Sequence, residues 1–481
     1  MPVKKETTPA FILTIFGASG DLAKLKIFPA IYELLEQGRL PTNFWIVGYA
    51  RTTMTRKEFQ NVVSESVQKR FGAQVKKSIV DTLLSHVHYF PGAYTELADF
   101  EKYVLFLDTL QKKTTMIRMA YFSVPPTVFQ DIIRNLALSR RSTTDDIRLI
   151  LEKPFGTSCA SATELFHSVS QYFPEDHLYL LDHYLGKTAV RSIMNLRHSN
   201  RILSLMMQGR QIANIQITKA ETIGVEERGE YFDSVGSIKD MVQSHLLQLL
   251  ALVTMDIPVT RTRQSLQRER LSVLSAIECP SKHDNIVIGQ YKGYTQEEDI
   301  QKKSKTETFT ALRLFLDRED WYNTPIYIRT GKRLNESHAY IVVELEKFPF
   351  QDSREEPNRL IFELSPNERV NITLLNKQDD VNTYQELTTS DSIACDIDGC
   401  LGEHATLLLD VLHGRHMHFV SFAEVIASWR IVDKISSVIK KRKVRLETYA
   451  TGSIGPKSQN SLTSMDGFEW YDLHEHVSHN T

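Results

Sequence analysis

The residues best equipped for chemistry are gathered in Asp182-His183-Tyr184-Leu185-Gly186-Lys187, where a carboxylate, an imidazole, a phenol and an ammonium fall almost side by side. An apolar run, His177 to Leu181, precedes them, and a helix-like run, Thr188 to Arg197, follows. Polar groups between a strand end and a helix start occupy the place where open α/β sheets bind ligands. A second candidate is His245, in Lys239-Asp240-Met241-Val242-Gln243-Ser244-His245. Histidine, with an unperturbed pKa of ~6.5, works as a base near neutral pH. A buried carboxylate can fix its tautomer and stabilise the imidazolium. Each feature also has a plainer reading. The first is then a charged loop with a satisfied histidine, and the second a core histidine on the apolar face of Met241, Val242 and Leu249.

The elements that must position these groups are legible before them in the chain. Phe11 to Phe16 reads as a buried strand, Gly17-Ala18-Ser19-Gly20-Asp21-Leu22-Ala23 as a turn, and Lys24 to Gln37 as a helix. The expected helix places Leu25, Phe28, Ile31, Leu34 and Leu35 on one face, and Gly38 ends it. Strand, glycine turn and helix make a dinucleotide cradle, because the glycines let the backbone approach a pyrophosphate at a helix N-terminus. The glycines fall as GxxG, not GxGxxG, so an ordinary tight turn remains open at this point. After the next strand, Phe44 to Tyr49, comes Arg51, with Arg56 nearby, where a ribose-binding carboxylate would serve NAD. A guanidinium suits a 2′-phosphate, and NADP is expected over NAD. Met119 to Val124 and Arg148 to Leu151 read as further strands, the latter leading to Lys153-Pro154, where the proline biases Lys153 towards an extended backbone. Strands and helices alternate up to Leu181, the pattern of a doubly wound parallel sheet.

Beyond Asp182 the pattern changes. Ile212 to Thr218 reads as a strand, Glu221 to Asp233 as a glycine- and charge-rich loop, and Ile238 to Met255 as a long helix. Ala311 to Leu316, Pro325 to Arg329, Ile341 to Leu345, Arg359 to Leu364 and Val370 to Leu375 are strand-like, as in a large, mostly antiparallel sheet. Glu403 to Leu412 and Ser421 to Val438 read as helices. The expected division is residues 1–182 as a Rossmann-like domain and 183–481 as a larger α+β domain.

The formal net charge of -2 gives no basic field for nucleic acid, and Lys440 to Lys443, with no aromatic platform beside it, reads as solvated surface. Cys159, Cys279, Cys395 and Cys400 form no CxxC and no zinc spacing, which suits a reducing cytoplasm and leaves no metal site. No apolar run reaches the ~18 residues of a spanning helix, so no membrane partner is expected.

The chain resembles the glucose-6-phosphate 1-dehydrogenase family, in its bacterial form. GxxGDLAxxK matches Gly17 to Lys26, EKPFG matches Glu152 to Gly156, and DHYLGK matches Asp182 to Lys187. DMVQNH is matched by Asp240 to His245, with Ser244 in place of asparagine, and TGKRL by Thr330 to Leu334. The resemblance implies oxidation of D-glucose 6-phosphate to the 6-phospho-lactone with NADP, the first step of the pentose phosphate pathway, in a homodimer. It implies a His245–Asp182 dyad as the base for the hemiacetal hydroxyl. His183, Tyr184 and Lys187 become phosphate ligands, while Glu221 and Asp240 become hydrogen-bond partners of sugar hydroxyls. Lys332 reaches the substrate, and Lys153 and Lys26 lie between cofactor and substrate. Gly17, Ser19, Gly20, Asp21, Leu22, Lys26, Arg51 and Lys153 contact the cofactor.

Further positions besides Ser244 depart from the family pattern. Ser337 stands where a second substrate-holding cation is usual, Thr188 where glutamate is usual, and His404-Ala405 replaces a tyrosine–glutamate pair. A different hexose phosphate, another nicotinamide sugar dehydrogenase carrying Glu-Lys-Pro, and a non-catalytic binding protein on the same fold are the alternatives.

Overall fold

Runs of β-branched and aromatic residues form six parallel strands, β1 Phe11–Phe16, β2 Phe44–Ala50, β3 Val87–Pro91, β4 Ile117–Phe122, β5 Ile147–Glu152 and β6 Leu178–Leu181. All of β1 and all of β6 are buried, as strands covered on both faces must be. The computed structural model describes residues 8–111, 115–140, 146–260, 262–280, 283–347, 357–378, 381–388 and 401–472. Cys395, Cys400 and most of the polar N-terminal stretch lie outside them.

The strand order β6-β5-β4-β1-β2-β3 reverses direction between β1 and β4. That is the topological switch point of a doubly wound sheet. Phe16 lies opposite both Tyr49 and Phe122, so the ends of β1, β2 and β4 share one sheet edge. A late two-residue strand, Phe419–Val420, adds antiparallel to β6, with Phe419 opposite Leu181. Ala405, Leu407, Leu408, Val411 and Leu412, from the helix Glu403–Leu412, enter the same core as Phe28, Ile31 and Leu34. Burying such a side chain contributes roughly 1.5–3 kcal/mol.

The second sheet is built around β7, Ile212–Ala220. β7 pairs antiparallel with His338–Leu345 and parallel with Ile326–Gly331. From there the sheet extends through Arg359–Ser365, Arg369–Gln378 and Val381–Thr388 on one side, and through Phe309–Leu316, Ile286–Tyr291 and Leu446–Tyr449 on the other. Most pairings are antiparallel, as expected.

Two compact units result. One comprises residues 1–187 and 397–425, the other residues 188–396 and 426–481. The join follows Lys187, whereas the sequence placed it after Asp182, and a segment from the expected second domain returns to the first. No described helix is long and apolar enough to cross a membrane. Lys440, Lys441 and Arg442 end the helix Phe422–Arg442, where cations complement the helix dipole.

Four local expectations differ from the structure, and the first is that the stretch Glu221 to Asp233, expected as a loop, turns helical at Gly229. The expected helix from Lys24 is wound as a π-helix over Ala23–Ile27 before becoming α over Phe28–Glu36. The wider turn moves Leu25 off the apolar face, and it is 49% exposed. The long helix from Ile238 is likewise a π-helix over Ile238–Leu246, then α over Leu247–Thr254. Met241, Val242, His245 and Leu249 are nevertheless all buried. The polar stretch after β6 is a short helix, His183–Gly186, and not a loop.

Candidate active site

Gly17 follows β1 with φ +83°, a conformation that glycine adopts without strain. A Cβ there would lie 2.1 Å from the carbonyl oxygen of Ser123, so the turn passes directly over the end of β4. Its N–H donates to the Tyr49 carbonyl at 2.8 Å, and the Gly20 N–H donates back to Gly17 at 2.9 Å. Ser19, Gly20 and Leu22 are partly buried in this turn, while Asp21 and Lys26 are exposed. Arg51, just past β2, is exposed, with its guanidinium 5.8 Å from the centre of the Tyr94 ring. Arg56 is committed elsewhere, donating at 2.8 Å to the carbonyls of Val87 and Ser85. The hydroxyl of Ser123 is buried at the same sheet edge, without a hydrogen-bond partner among the described residues. A glycine turn at the switch point, a buried hydroxyl beside it and an exposed guanidinium past β2 fit a phosphorylated dinucleotide.

Farther along this edge, Asp182 caps the helix His183–Gly186. Its Oδ1 accepts from the Tyr184 N–H at 3.0 Å, and its Oδ2 accepts from the Lys153 ammonium at 2.7 Å. The carboxylate is fully buried (0% exposed). The Lys153–Pro154 peptide bond is cis. Beside it, Glu152 accepts from the Tyr121 hydroxyl at 2.5 Å and stands 3.8 Å from Nε2 of His404. Burial drives Glu152 up to about 7, and the charge of Asp182 adds to the rise. The Tyr121 hydrogen bond and the charge of Lys153 oppose it. Burial pushes His404 down to about 4, with Lys26 adding to the fall, so its imidazole is neutral at pH 7. The His183 and Tyr184 rings meet edge-on at 5.1 Å. The Lys187 ammonium lies 4.5 Å from the centre of the Tyr184 ring and 3.9 Å from Glu403. Thr188 opens the next helix, Thr188–Ser199.

In the second unit, Glu221 leaves the end of β7. It accepts from Lys332 at 2.6 Å and pairs with Lys219 at 3.8 Å. Burial alone would raise its pKa, but Lys332, Lys219 and Arg228 together outweigh this and hold it below the usual carboxylate value. Lys332 follows Ile326–Gly331, and the backbone of Leu334 donates to the Glu221 carbonyl at 2.9 Å. Asp240 and His245 both stand on the π-helix. Asp240 lies 3.9 Å from Arg228, and His245 is 6% exposed. Ser337 accepts from the Thr222 N–H at 2.9 Å, so it ties down the loop after β7. Arg333 is turned towards Glu226 and Glu297, and His338 towards Glu336. A cavity of about 560 Å³ in this unit is lined by Arg329, Tyr340, Trp470 and Tyr471 among others. Glu221, Asp240, His245 and Lys332 do not line it.

Thus Lys153 meets Asp182, Lys187 meets Tyr184, and Lys332 meets Glu221, while Arg51 and Lys26 reach solvent. Tyr121 and Ser123 escaped the motif reading. The signal that would have flagged them is a polar residue at or just beyond the end of β4, next to the strand bearing the glycine turn.

Comparison with known proteins covers both units. Residues 14–192 match the family model described as glucose-6-phosphate dehydrogenase, NAD binding domain, and residues 194–471 match that of the C-terminal domain. The chain belongs to the glucose-6-phosphate dehydrogenase family. It is 32% identical to the glucose-6-phosphate 1-dehydrogenase of Bacillus subtilis (strain 168), covering 98% of this chain and all of that one. It is 33% identical to glucose-6-phosphate 1-dehydrogenase 2 of Mus musculus, covering 95% and 92%. Among solved structures it is similar to a glucose-6-phosphate dehydrogenase in complex with its substrate glucose-6-phosphate. That match has a TM-score of 0.91 and 31% identity, over 97% of this chain and all of the other.

Proposed function

We propose that the protein oxidises D-glucose 6-phosphate to 6-phospho-D-glucono-1,5-lactone, using NADP. Membership of the glucose-6-phosphate dehydrogenase family over both units carries this reading. Bound NADP supplies the hydride acceptor at its nicotinamide. The protein must take the proton of the C1 hydroxyl and hold that carbon in place. His245 is the base, accepting the proton on an imidazole nitrogen. Asp182 stabilises the imidazolium and orients the ring. Lys153, bonded to Asp182, supplies the counter-charge to that fully buried carboxyl group. Lys187, His183 and Tyr184 hold the 6-phosphate through charge-assisted and neutral hydrogen bonds. Glu221 and Asp240 accept from sugar hydroxyls, and Lys332 contacts the sugar. Gly17, Ser19, Gly20, Asp21, Leu22 and Lys26 bind the cofactor's pyrophosphate side, with Arg51 on its 2′-phosphate. The protein works in the cytoplasm as a homodimer and supplies the pentose phosphate pathway.

One assay tests this reading: glucose 6-phosphate and NADP with the full chain, followed by reduced-nicotinamide absorbance. Turnover that His245→Asn abolishes while substrate binding persists supports it. Binding without turnover in the wild-type chain makes the protein a non-catalytic sugar-phosphate binder. Faster turnover of a different hexose 6-phosphate moves the substrate assignment, and the commitment of Ser337 to Thr222 marks where that specificity would change.

A further inference from the structure

Glu307 belongs to none of the motifs, yet it sits at the start of the helix that carries Asp240 and His245. Its Oε1 accepts from the Ile238 N–H at 3.1 Å. Its main-chain carbonyl accepts from the Ser237 N–H at 3.0 Å. Ser237 and Thr310 are joined through their hydroxyls at 2.7 Å. The opening turn of a helix leaves its N–H groups without intrahelical partners, and Ser237 provides no side-chain cap here. Glu307 fills that role from 69 residues away in sequence. A carboxylate at this end is also favoured by the helix dipole. Gly236 makes room for it. Its φ is +69°, and a Cβ there would lie 2.4 Å from the same Oε1.

The neighbouring residue holds the other substrate-side element. The Thr308 carbonyl accepts from the Lys332 N–H at 3.0 Å. Its hydroxyl bonds with that of Tyr449 at 2.9 Å, and Tyr449 donates to the Lys332 carbonyl at 2.7 Å. Two adjacent residues therefore fix both the entrance to the π-helix and the Lys332 turn.

We propose that Glu307 is a positioning residue, whose side-chain oxygen accepts from Ile238 and so sets where Asp240 and His245 stand relative to Lys332. It touches neither substrate nor cofactor. The roles given to Asp240 and His245 rest on the functional reading above; the latch itself does not.

The test compares Glu307→Ala with Glu307→Gln in the full chain. For Glu307→Ala, amide hydrogen exchange across Ile238–Leu246 speeds up by ~10-fold or more, and kcat falls by ~10-fold or more, as expected when a buried N–H loses its acceptor. KM for NADP stays unchanged, because the cofactor residues lie on the other unit. Glu307→Gln keeps an acceptor and restores both readouts nearly to wild type. If Glu307→Ala does not fold, Gly236→Ala displaces the carboxylate while retaining it and produces the same paired change. Unchanged exchange over Ile238–Leu246 in these variants overturns the proposal. So does a Glu307→Gln variant as impaired as Glu307→Ala, since the charge and not the acceptor would then matter. A His245→Asn variant with wild-type turnover removes the base assignment, while the exchange data still decide the latch.

Discussion

The ammonium of Lys153 lies 2.7 Å from the carboxylate of Asp182, which has no exposed surface. One partner carries a fixed charge at the end of β5, and the other both receives that charge and caps the helix after β6. A buried carboxylate is costly unless paired, and breaking such a pair is more damaging than never having made it.

Asp182→Asn keeps the shape and an acceptor for Tyr184 but removes the charge facing Lys153. The expected outcome is a fall in kcat of ~100-fold or more, with a smaller change in KM for the sugar phosphate. Stability falls by ~1.5–3 kcal/mol in urea unfolding. A kcat within threefold of wild type would sink the assignment of Asp182 to the chemistry.

Glu152 sets a pH dependence. Its carboxyl titrates near 7 in the folded chain, raised first by burial, while an unfolded glutamate titrates near ~4.3. The folded state thus binds the proton more tightly. The stability Glu152 contributes is complete below the unfolded pKa and is lost as pH rises through 7. Glu152→Gln keeps an acceptor for Tyr121 and has no charge to bury. It is expected to match wild type at pH 4 and to exceed it at pH 8, by ~1–3 kcal/mol, as read from melting curves. A constant difference between the two pH values would show that Glu152 does not titrate with folding.

Glu221 moves in the other direction. Lys332, Lys219 and Arg228 hold it ionised against the effect of burial. Lys332→Met removes the nearest of these charges, so burial weighs more heavily and the carboxyl takes up a proton at higher pH. KM for the sugar phosphate rises ~10–100-fold, a loss of ~1.4–3 kcal/mol in binding. The acid-side loss of kcat/KM also moves to higher pH. An acid limb identical to wild type would separate Glu221 from substrate binding.

Arg51 is exposed, with its guanidinium against the ring of Tyr94. Arg51→Ala should lower kcat/KM for NADP by ~10–100-fold and leave that for NAD nearly unchanged, as loss of a guanidinium–phosphate contact requires. An unaltered NADP-to-NAD ratio would place cofactor selection elsewhere.

Some of this was readable from the chain alone. β1, β2, β4 and β5 announce themselves because doubly covered strands must be continuous apolar runs, whereas the glycine turn after β1 alone left an ordinary tight turn open. Helical winding was less readable. The periodicity that put Leu25 inward assumes α geometry, and nothing local marks Ala23–Ile27 or Ile238–Leu246 as π-helical. The helical turn His183–Gly186 arises from the Asp182 cap, while the sequence reading treated that aspartate only as a catalytic carboxylate. Phe419–Val420 is too short for any alternation to emerge. Glu307 was invisible for a different reason: its partner is remote in the chain, and a single acidic residue before a strand carries no pattern.

The return of the segment 401–425 to the first unit has a consequence for biosynthesis. A ribosome that has released residues 1–187 has not yet supplied the helix Glu403–Leu412 that seals their core. At roughly 5–20 residues per second, the nascent dinucleotide-binding half waits tens of seconds with apolar surface uncovered. The second unit in turn draws on residues 426–481, so both halves are completed only late in translation. Premature termination before Glu403 would therefore leave both ends of the molecule defective, and a chaperone acting on this chain would find its client among the N-terminal residues.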